Sequence, residues 1–206
     1  MAITKLSSGS SFKNLTKYDS FLAGNPKFVP TSYESIATIN VGGGGAADVT
    51  FSSIPSTYTH LQIRGIAQET RATYGISDGN MQFNGDTASN YSRHNIQGTG
   101  SAVVANGDAN VSFVTLADGM WGTSTGGSFG VSIVDILDYA NTNKYKTVRV
   151  LSGVDFNGTL AGYGGYVGIL SGSWRNTNAI TSIKINAQTG NFTQYSQFAL
   201  YGIKGA

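Results

Sequence analysis

The sequence has no cysteine, few charged residues and no long hydrophobic run. Without cysteine, neither a disulfide nor a Cys-based metal site can stabilise the fold. Charged residues are 12% of the 206 positions, about half the usual share of roughly 25%, which excludes a coiled coil or a helical bundle. No stretch reaches about 18 apolar residues, so we expect no membrane insertion. The start MAITKLSSGSSFK lacks the apolar segment of a secretory signal. We therefore expect a soluble chain made in a cytosol.

The positive charges are too few and too scattered for a nucleic-acid partner. The net charge is +2, and 13 Lys and Arg residues are spread along the chain. The densest group is Lys144, Lys146 and Arg149. Because affinity for nucleic acid grows with the number of phosphates neutralised, the sequence predicts no such function.

Residues for acid–base or metal chemistry are equally scarce. Glu34 and Glu69 are the only glutamates, which argues against a glycosidase built on a Glu pair. An Asp pair remains, Asp135 and Asp138, but Asp138 precedes Tyr-Ala-Asn-Thr-Asn and resembles a turn former. His60 and His94 have no carboxylate-rich motif beside them and are interpreted as polar strand residues.

Motif searches add no catalytic or cofactor site. The match to G-x-S-x-G around Ser124 is followed by a predicted strand, whereas that motif requires a helix. Oxygen ligands for calcium are present in Asp78, Asn80 and Asp86, but turn chemistry explains the same residues. We predict no catalytic residue, no cofactor and no metal.

What the sequence does contain is alternation of apolar and polar residues, interrupted by Gly, Asn, Asp and Ser. This pattern predicts an all-β fold, an antiparallel β-sandwich of jelly-roll type. The eleven predicted strands are 34–41, 48–53, 58–67, 80–83, 91–97, 110–116, 128–137, 146–154, 163–174, 180–186 and 193–203.

Two kinds of local signal refine this prediction. In the strand 128–137, Phe129, Val131, Ile133 and Leu137 share one face, which we expect to be buried. Asp135 interrupts this apolar face, and we expect its carboxylate to form internal hydrogen bonds. Hairpin turns are predicted at Asn84-Gly85 and Asn157-Gly158, because a type I′ turn needs positive φ twice, and a hairpin loop is predicted at 42–45.

The first 32 residues differ from the rest. They contain two of the three prolines, and their apolar residues follow neither strand nor helix spacing. We interpret 1–32 as an extended N-terminal arm that anchors the β-sandwich domain 33–206 to a larger assembly, with a terminal segment packed on its own domain as the alternative. The side chains expected to anchor the arm are Phe12, Leu15, Tyr18, Phe21, Leu22 and Phe28.

Aromatic residues near predicted turns are the remaining candidates for binding. They can stack on a sugar ring, fill a subunit interface or pack in the core. The four candidates are Trp121, Tyr139, Tyr163 and Trp174.

Several long runs resemble virion structural proteins of tailed bacteriophages, notably phages of cyanobacteria and other aquatic bacteria. The runs are YESIAT at 33–38, FSSIPSTYTHLQIRG at 51–65, FNGD at 83–86, NY at 90–91, VDILDYANTNKYK at 134–146 and FALYGIKG at 198–205. The segment KNLTKYDSFLAGN at 13–25 also resembles the N-terminal segments of phage appendage proteins.

The resemblance implies a non-enzymatic structural protein on the surface of a phage particle, either a head decoration (cement) protein or a tail or head fibre. Its implied partners are other capsid or tail proteins, and it implies a homo-oligomer, with a trimer common among such appendages. The alternative is a receptor-binding module that recognises host-surface glycans. A polysaccharide-degrading enzyme acting through Asp135 is the third and weakest hypothesis. In each case the chain is made in the host cytoplasm and ends in the virion.

Overall fold

The structure is a computed structural model of the chain. It describes residues 32–72, 76–123, 127–160 and 163–205, and it describes only the backbone of 117–121, 123, 158–160 and 163. None of the described residues lies in a helix, so no helix among them could span a membrane. Except for Ser32, the predicted arm 1–32 lies outside the described residues.

The described residues form twelve strands. In chain order they are β1 Tyr33–Asn40, β2 Asp48–Phe51, β3 His60–Glu69, β4 Ile76–Phe83, β5 Tyr91–Gly98, β6 Val103–Val111, β7 Val114–Thr123, β8 Gly130–Leu137, β9 Lys146–Leu160, β10 Tyr163–Trp174, β11 Ile183–Ala187 and β12 Gln197–Ile203. One of the twelve is missing from the prediction, because the predicted strand 110–116 spans the end of β6 and the start of β7. Asn110, with φ of 57°, lies at that point.

The strands form two antiparallel sheets that pack against each other. The large sheet has the order β1-β12-β3-β8-β9-β10-β5-β6, and the small sheet has the order β2-β11-β4-β7. A short parallel pairing of Gln68 with Gly122 and Glu69 with Thr123 joins β3 to β7. The prediction of an antiparallel β-sandwich is confirmed, while the jelly-roll arrangement stays a prediction.

The core lies between the two sheets. The inward side chains of β3, β8 and β12 meet those of β4, β7 and β11, and each fully buried aliphatic or Phe side chain contributes about 1.5–3 kcal/mol. The largest fully buried apolar side chains are Trp174, Tyr91, Tyr139, Phe83, Phe192, Phe198, Leu61, Ile63, Met81 and Leu116.

The turn at Asn84-Gly85 and the loop 42–45 form, but neither closes a hairpin, and the predicted turn at Asn157-Gly158 lies within strand β9 instead. Asn84 and Gly85 have φ of 53° and 68°, and Asp86 N donates to Phe83 O at 2.9 Å, as in a type I′ turn. However, β4 and β5 belong to different sheets, so this turn carries the chain across the sandwich. The glycine loop 42–45 likewise connects β1 in the large sheet to β2 in the small sheet. Asn157 has φ of 51° within β9, which continues to Leu160.

Candidate functional site

The outward side of the large sheet is apolar where β8 crosses it. Inward-facing Val134 and Ile136 are fully buried, whereas outward-facing Val131, Ile133 and Leu137 are 51%, 40% and 41% exposed. The expectation that Val131, Ile133 and Leu137 lie on the buried face is therefore wrong. The alternation is as predicted, but β8 is apolar on both faces, so its sequence does not say which face turns inward.

Neighbouring strands extend this apolar surface. Strand register aligns Ile133 on β8 with Leu151 on β9, Ile169 on β10 and Ile96 on β5. Directly opposed side chains on one face of a sheet lie about 4.5–5.5 Å apart at Cβ, so these four form a continuous ridge. We use the name outer apolar face for eight residues that are each 40–73% exposed: Ile66, Ile96, Val103, Val131, Ile133, Leu151, Val167 and Ile169.

The next row of outward-facing positions, which lies beside this ridge, contains a groove. In this row Gly153 lies between Val131 and Val167, and Gly98 follows Val167 on the next strand. Because glycine has no side chain, the surface is lower at these two positions. The groove has a volume of about 750 Å³, and it is lined by Gly98, Thr99, Gly100, Phe129, Val131, Gly153, Val154, Asp155, Gly164, Gly165, Tyr166 and Val167.

Polar residues border the ridge on its other side. Asp135 on β8 accepts hydrogen bonds from Arg149 Nη2 at 2.6 Å and Gln62 Nε2 at 2.8 Å. Ser171 and His94 continue this row on β10 and β5. Asp135 thus has the hydrogen-bonding role that the sequence predicts, but on the outer face rather than in the interior.

The second aspartate of the considered catalytic pair is a turn residue. Asp138 has φ of 49° and pairs with Lys144, which holds the pKa of the Asp138 carboxyl below its usual range. Its backbone N–H donates to His60 Nδ1 at 3.0 Å. The two aspartates therefore have separate cationic partners. Among the described residues, no three His, Asp or Glu side chains are grouped to hold a metal ion.

The three cations of the basic group have partners within the fold. Lys146 is fully buried, and its Nζ donates to the carbonyl oxygens of Asn141, Lys144 and Thr177 at 2.5, 3.0 and 3.0 Å. Burial lowers the pKa of Lys146. With Arg149 and Lys144 paired to aspartates, all three cations are used within the chain.

Two of the four aromatic candidates are core residues. Trp174 is 1% exposed, packs against Phe83 and Tyr91 at ring-centroid distances of 5.5 and 6.2 Å, and donates from Nε1 to Asp86 Oδ2 at 2.8 Å. Tyr139 is fully buried, and its hydroxyl donates to Pro55 O. The prediction that these two rings contact a glycan or a subunit is wrong, because neither is accessible, and the core alternative holds.

The other predicted binding residues cannot be placed. Only the backbones of Trp121 and Tyr163 are described, in β7 and β10. The arm residues Phe12, Leu15, Tyr18, Phe21, Leu22 and Phe28 lie outside the described residues. Conversely, the outer apolar face was not predicted as a site. The signal for it was the apolar character of both faces of β8, since a sheet covered on one side needs only one apolar face.

Comparison with known proteins indicates no family. No protein-family model and no curated protein matches the chain. Two solved structures are similar over 86% of this chain: a fructofuranosidase variant from Schwanniomyces occidentalis complexed with fructosylnystose, at 8% identity and TM-score 0.25, and the β-fructofuranosidase from the same organism complexed with fructosyl-erythritol, at 9% identity and TM-score 0.24. The similarity spans 35% of the length of each enzyme. At these TM-scores the likeness supports no conclusion about this chain.

Proposed function

We propose that this chain is a non-enzymatic structural protein of a tailed-phage particle, anchored by its N-terminal arm and assembled with other protein subunits through the outer apolar face. The main support for this proposal is the exposure of eight Val, Leu and Ile side chains on adjoining strands. At roughly half exposure each, they present on the order of 700 Å² of surface, more than the ~300–600 Å² of the largest patch on a typical monomer.

The surroundings of this face suit a protein–protein contact. Interfaces combine an apolar centre with a polar border, and the row of Gln62, Asp135 and Arg149 is such a border. Contacts made mainly by aliphatic side chains depend little on ionic strength, which suits a particle that meets varying salt. The sequence resemblance to virion proteins supplies the kind of assembly.

The test is immunogold electron microscopy of purified particles of the phage that encodes the chain, with antiserum against the full chain. We expect label on intact particles, on the head for a decoration protein or head fibre and on the tail for a tail fibre. Particles that carry no label, and in which mass spectrometry finds no peptide of this chain, would refute the proposal.

Anchoring by the arm is tested separately. A variant that lacks 1–32 should fold, as judged by circular dichroism, but should be absent from particles assembled in infected cells that supply only that variant. Normal incorporation of the truncated chain would overturn the anchoring role while leaving the structural role intact.

The groove favours glycan binding as a second candidate function. Its walls include Phe129, whose ring could contact a sugar, and Asp155, whose carboxylate could accept hydrogen bonds from sugar hydroxyls. On a glycan array, this function predicts binding that Asp155→Ala weakens and Tyr145→Ala, outside the groove, does not. Absence of binding to host-surface glycans would remove the candidate.

A further inference from the structure

We infer that a second copy of this chain covers the outer apolar face, packed sheet against sheet about a two-fold axis. The inference names the partner for the surface on which the proposed function rests. The area, the shape and the charge of that surface each favour a second copy as the partner.

The area is sufficient for a stable pair. A standard protein–protein interface buries about 800 Å² on each partner, and the outer apolar face with its polar border is of that order. The face spans six adjacent strands, from Ile66 on β3 to Val103 on β6. A smaller ligand would leave much of it in water.

The shape is complementary to itself. Ile133, Leu151, Ile169 and Ile96 form a ridge, and the neighbouring row is lowered at Gly153 and Gly98. A two-fold axis between the two rows places the ridge of each copy against the groove of the other. Such a contact is isologous, because the same surface serves on both copies, and facing sheets pack about 10 Å apart.

The charges favour an identical partner over an oppositely charged one. None of the eight side chains is charged, and the nearby Asp135 and Arg149 pair with each other at 2.6 Å. Arg64, next to Ile133, lies over the rings of Tyr33 and Tyr201 at 5.6 and 5.5 Å. Two copies can therefore meet without repulsion between unpaired like charges.

Sedimentation equilibrium of the full chain tests the inference. Between about 1 and 100 μM we expect a species of twice the chain mass of 21.6 kDa. Ile169→Lys places a charge at the centre of the ridge and should raise the dimer Kd by at least ~100-fold, because the ammonium would be buried without a partner. Tyr145→Lys is the matched control, because Tyr145 is 53% exposed against 54% for Ile169 but lies outside the outer apolar face. The dimer Kd of this variant should equal that of the unsubstituted chain.

The absence of cysteine provides a second test. Single substitutions Ile96→Cys, Leu151→Cys, Ile169→Cys and Ile133→Cys sample the ridge, and Tyr145→Cys is the control. With a flexible bis-maleimide cross-linker that spans more than the roughly 10 Å between facing sheets, we expect a linked dimer from at least one ridge position and none from the control. Linkage at the control alone, or at no position, would overturn the inference.

Other outcomes separate this inference from the proposed function. A chain that is monomeric throughout this range, or trimeric, overturns the two-fold pair even if particles contain the chain, and another virion subunit is then the partner. A dimer that Ile169→Lys dissociates supports the inference even if particles lack the chain, and the proposed function then fails alone. A dimer that Ile169→Lys leaves intact overturns the inference.

Discussion

The inner and outer faces of the large sheet carry similar side chains in opposite surroundings. On β8, Val134 and Ile136 lie under the small sheet and are fully buried, while Ile133, which directly precedes Val134, is 40% exposed. Hydrophobic stabilisation scales with the apolar area removed from water. The inner side chains therefore stabilise the single chain, whereas the outer ones contribute fully only when another surface covers them. Residue type alone therefore does not assign a face to folding or to assembly.

The outer face is itself uneven. Near β1, β12 and β3 its side chains are held by polar contacts: Arg64 Nε donates to Gln62 Oε1 at 3.0 Å, and the rings of Tyr33 and Tyr201 are 5.2 Å apart. From β8 to β5, aliphatic side chains replace this network. The polar contacts are made within one chain, so we assign them to the fold, and we assign the aliphatic part to assembly.

Among the substitutions considered, truncation of Trp174 on the inner face should destabilise the chain most. Because Trp174 fills the core beside Phe83 and Tyr91, Trp174→Ala should lower the free energy of unfolding by about 3–5 kcal/mol. Trp174→Phe keeps an aromatic ring but removes the donor to Asp86, so we expect a loss of about 1–2 kcal/mol. Urea unfolding measures both, in the Ile169→Lys background so that subunit association does not contribute. A change below about 1 kcal/mol for Trp174→Ala would contradict the buried position.

Alanine substitutions of Ile136 and Ile133 compare how much the inner and outer faces of β8 contribute to stability. In the Ile169→Lys background, Ile136→Ala should lower the free energy of unfolding by about 2–4 kcal/mol, because it leaves a cavity in the core. Ile133→Ala removes the same atoms from the outer face and should cost about 0.5–1 kcal/mol, since Ile133 is already partly in water. Equal losses from the two substitutions would show that the outer face is covered within the single chain, and the distinction between the faces would fail.

The sequence was informative where a strand has one polar and one apolar face, or ends at a marked turn. Strand β10 has its predicted bounds, Tyr163–Trp174, and β12 ends at its predicted residue, Ile203. The type I′ geometry at Asn84-Gly85 also follows from local sequence, because few residues accept positive φ.

What could not be predicted depends on contacts distant in the sequence. Which face of β8 turns inward, and whether Asn84-Gly85 closes a hairpin or crosses between sheets, are decided by the pairing partners of β4, β5 and β8. Tyr139 and Trp174 were misplaced for the same reason: an aromatic residue near a turn belongs to the core when distant segments, here Pro55 and Asp86, satisfy its polar atom. The candidate site was missed because it is a property of a sheet, formed by residues from six strands.

Glu69 is an exception to the apolar character of the inner side. It lies where β3 meets β7, is fully buried, and accepts a hydrogen bond on Oε2 from the Ser77 hydroxyl at 2.5 Å. Burial, supported by the nearby Asp78 charge, raises the pKa of Glu69 from its ordinary 4.5 to about 7, although hydrogen bonds from Ser77 and from the backbone of Gln188 and Thr189 oppose the shift. A buried charge is thus tolerated at this junction only at a cost.

The buried Glu69 carboxyl should also make the stability of the chain depend on pH. The folded chain holds the Glu69 proton more tightly than the unfolded chain, so the stabilisation is complete below pH 4.5 and is lost as the pH rises to about 7. Between about pH 5 and pH 7 the loss should reach about 2 kcal/mol. Glu69→Gln, measured by urea unfolding across this range in the Ile169→Lys background, should remove this slope. Glu34→Gln is the control: Lys204 and Tyr58 lower the pKa of Glu34, so its stabilisation is lost only as the pH falls below 4.5, and its removal should leave the slope unchanged. A wild-type slope that persists in Glu69→Gln would show that another group carries it.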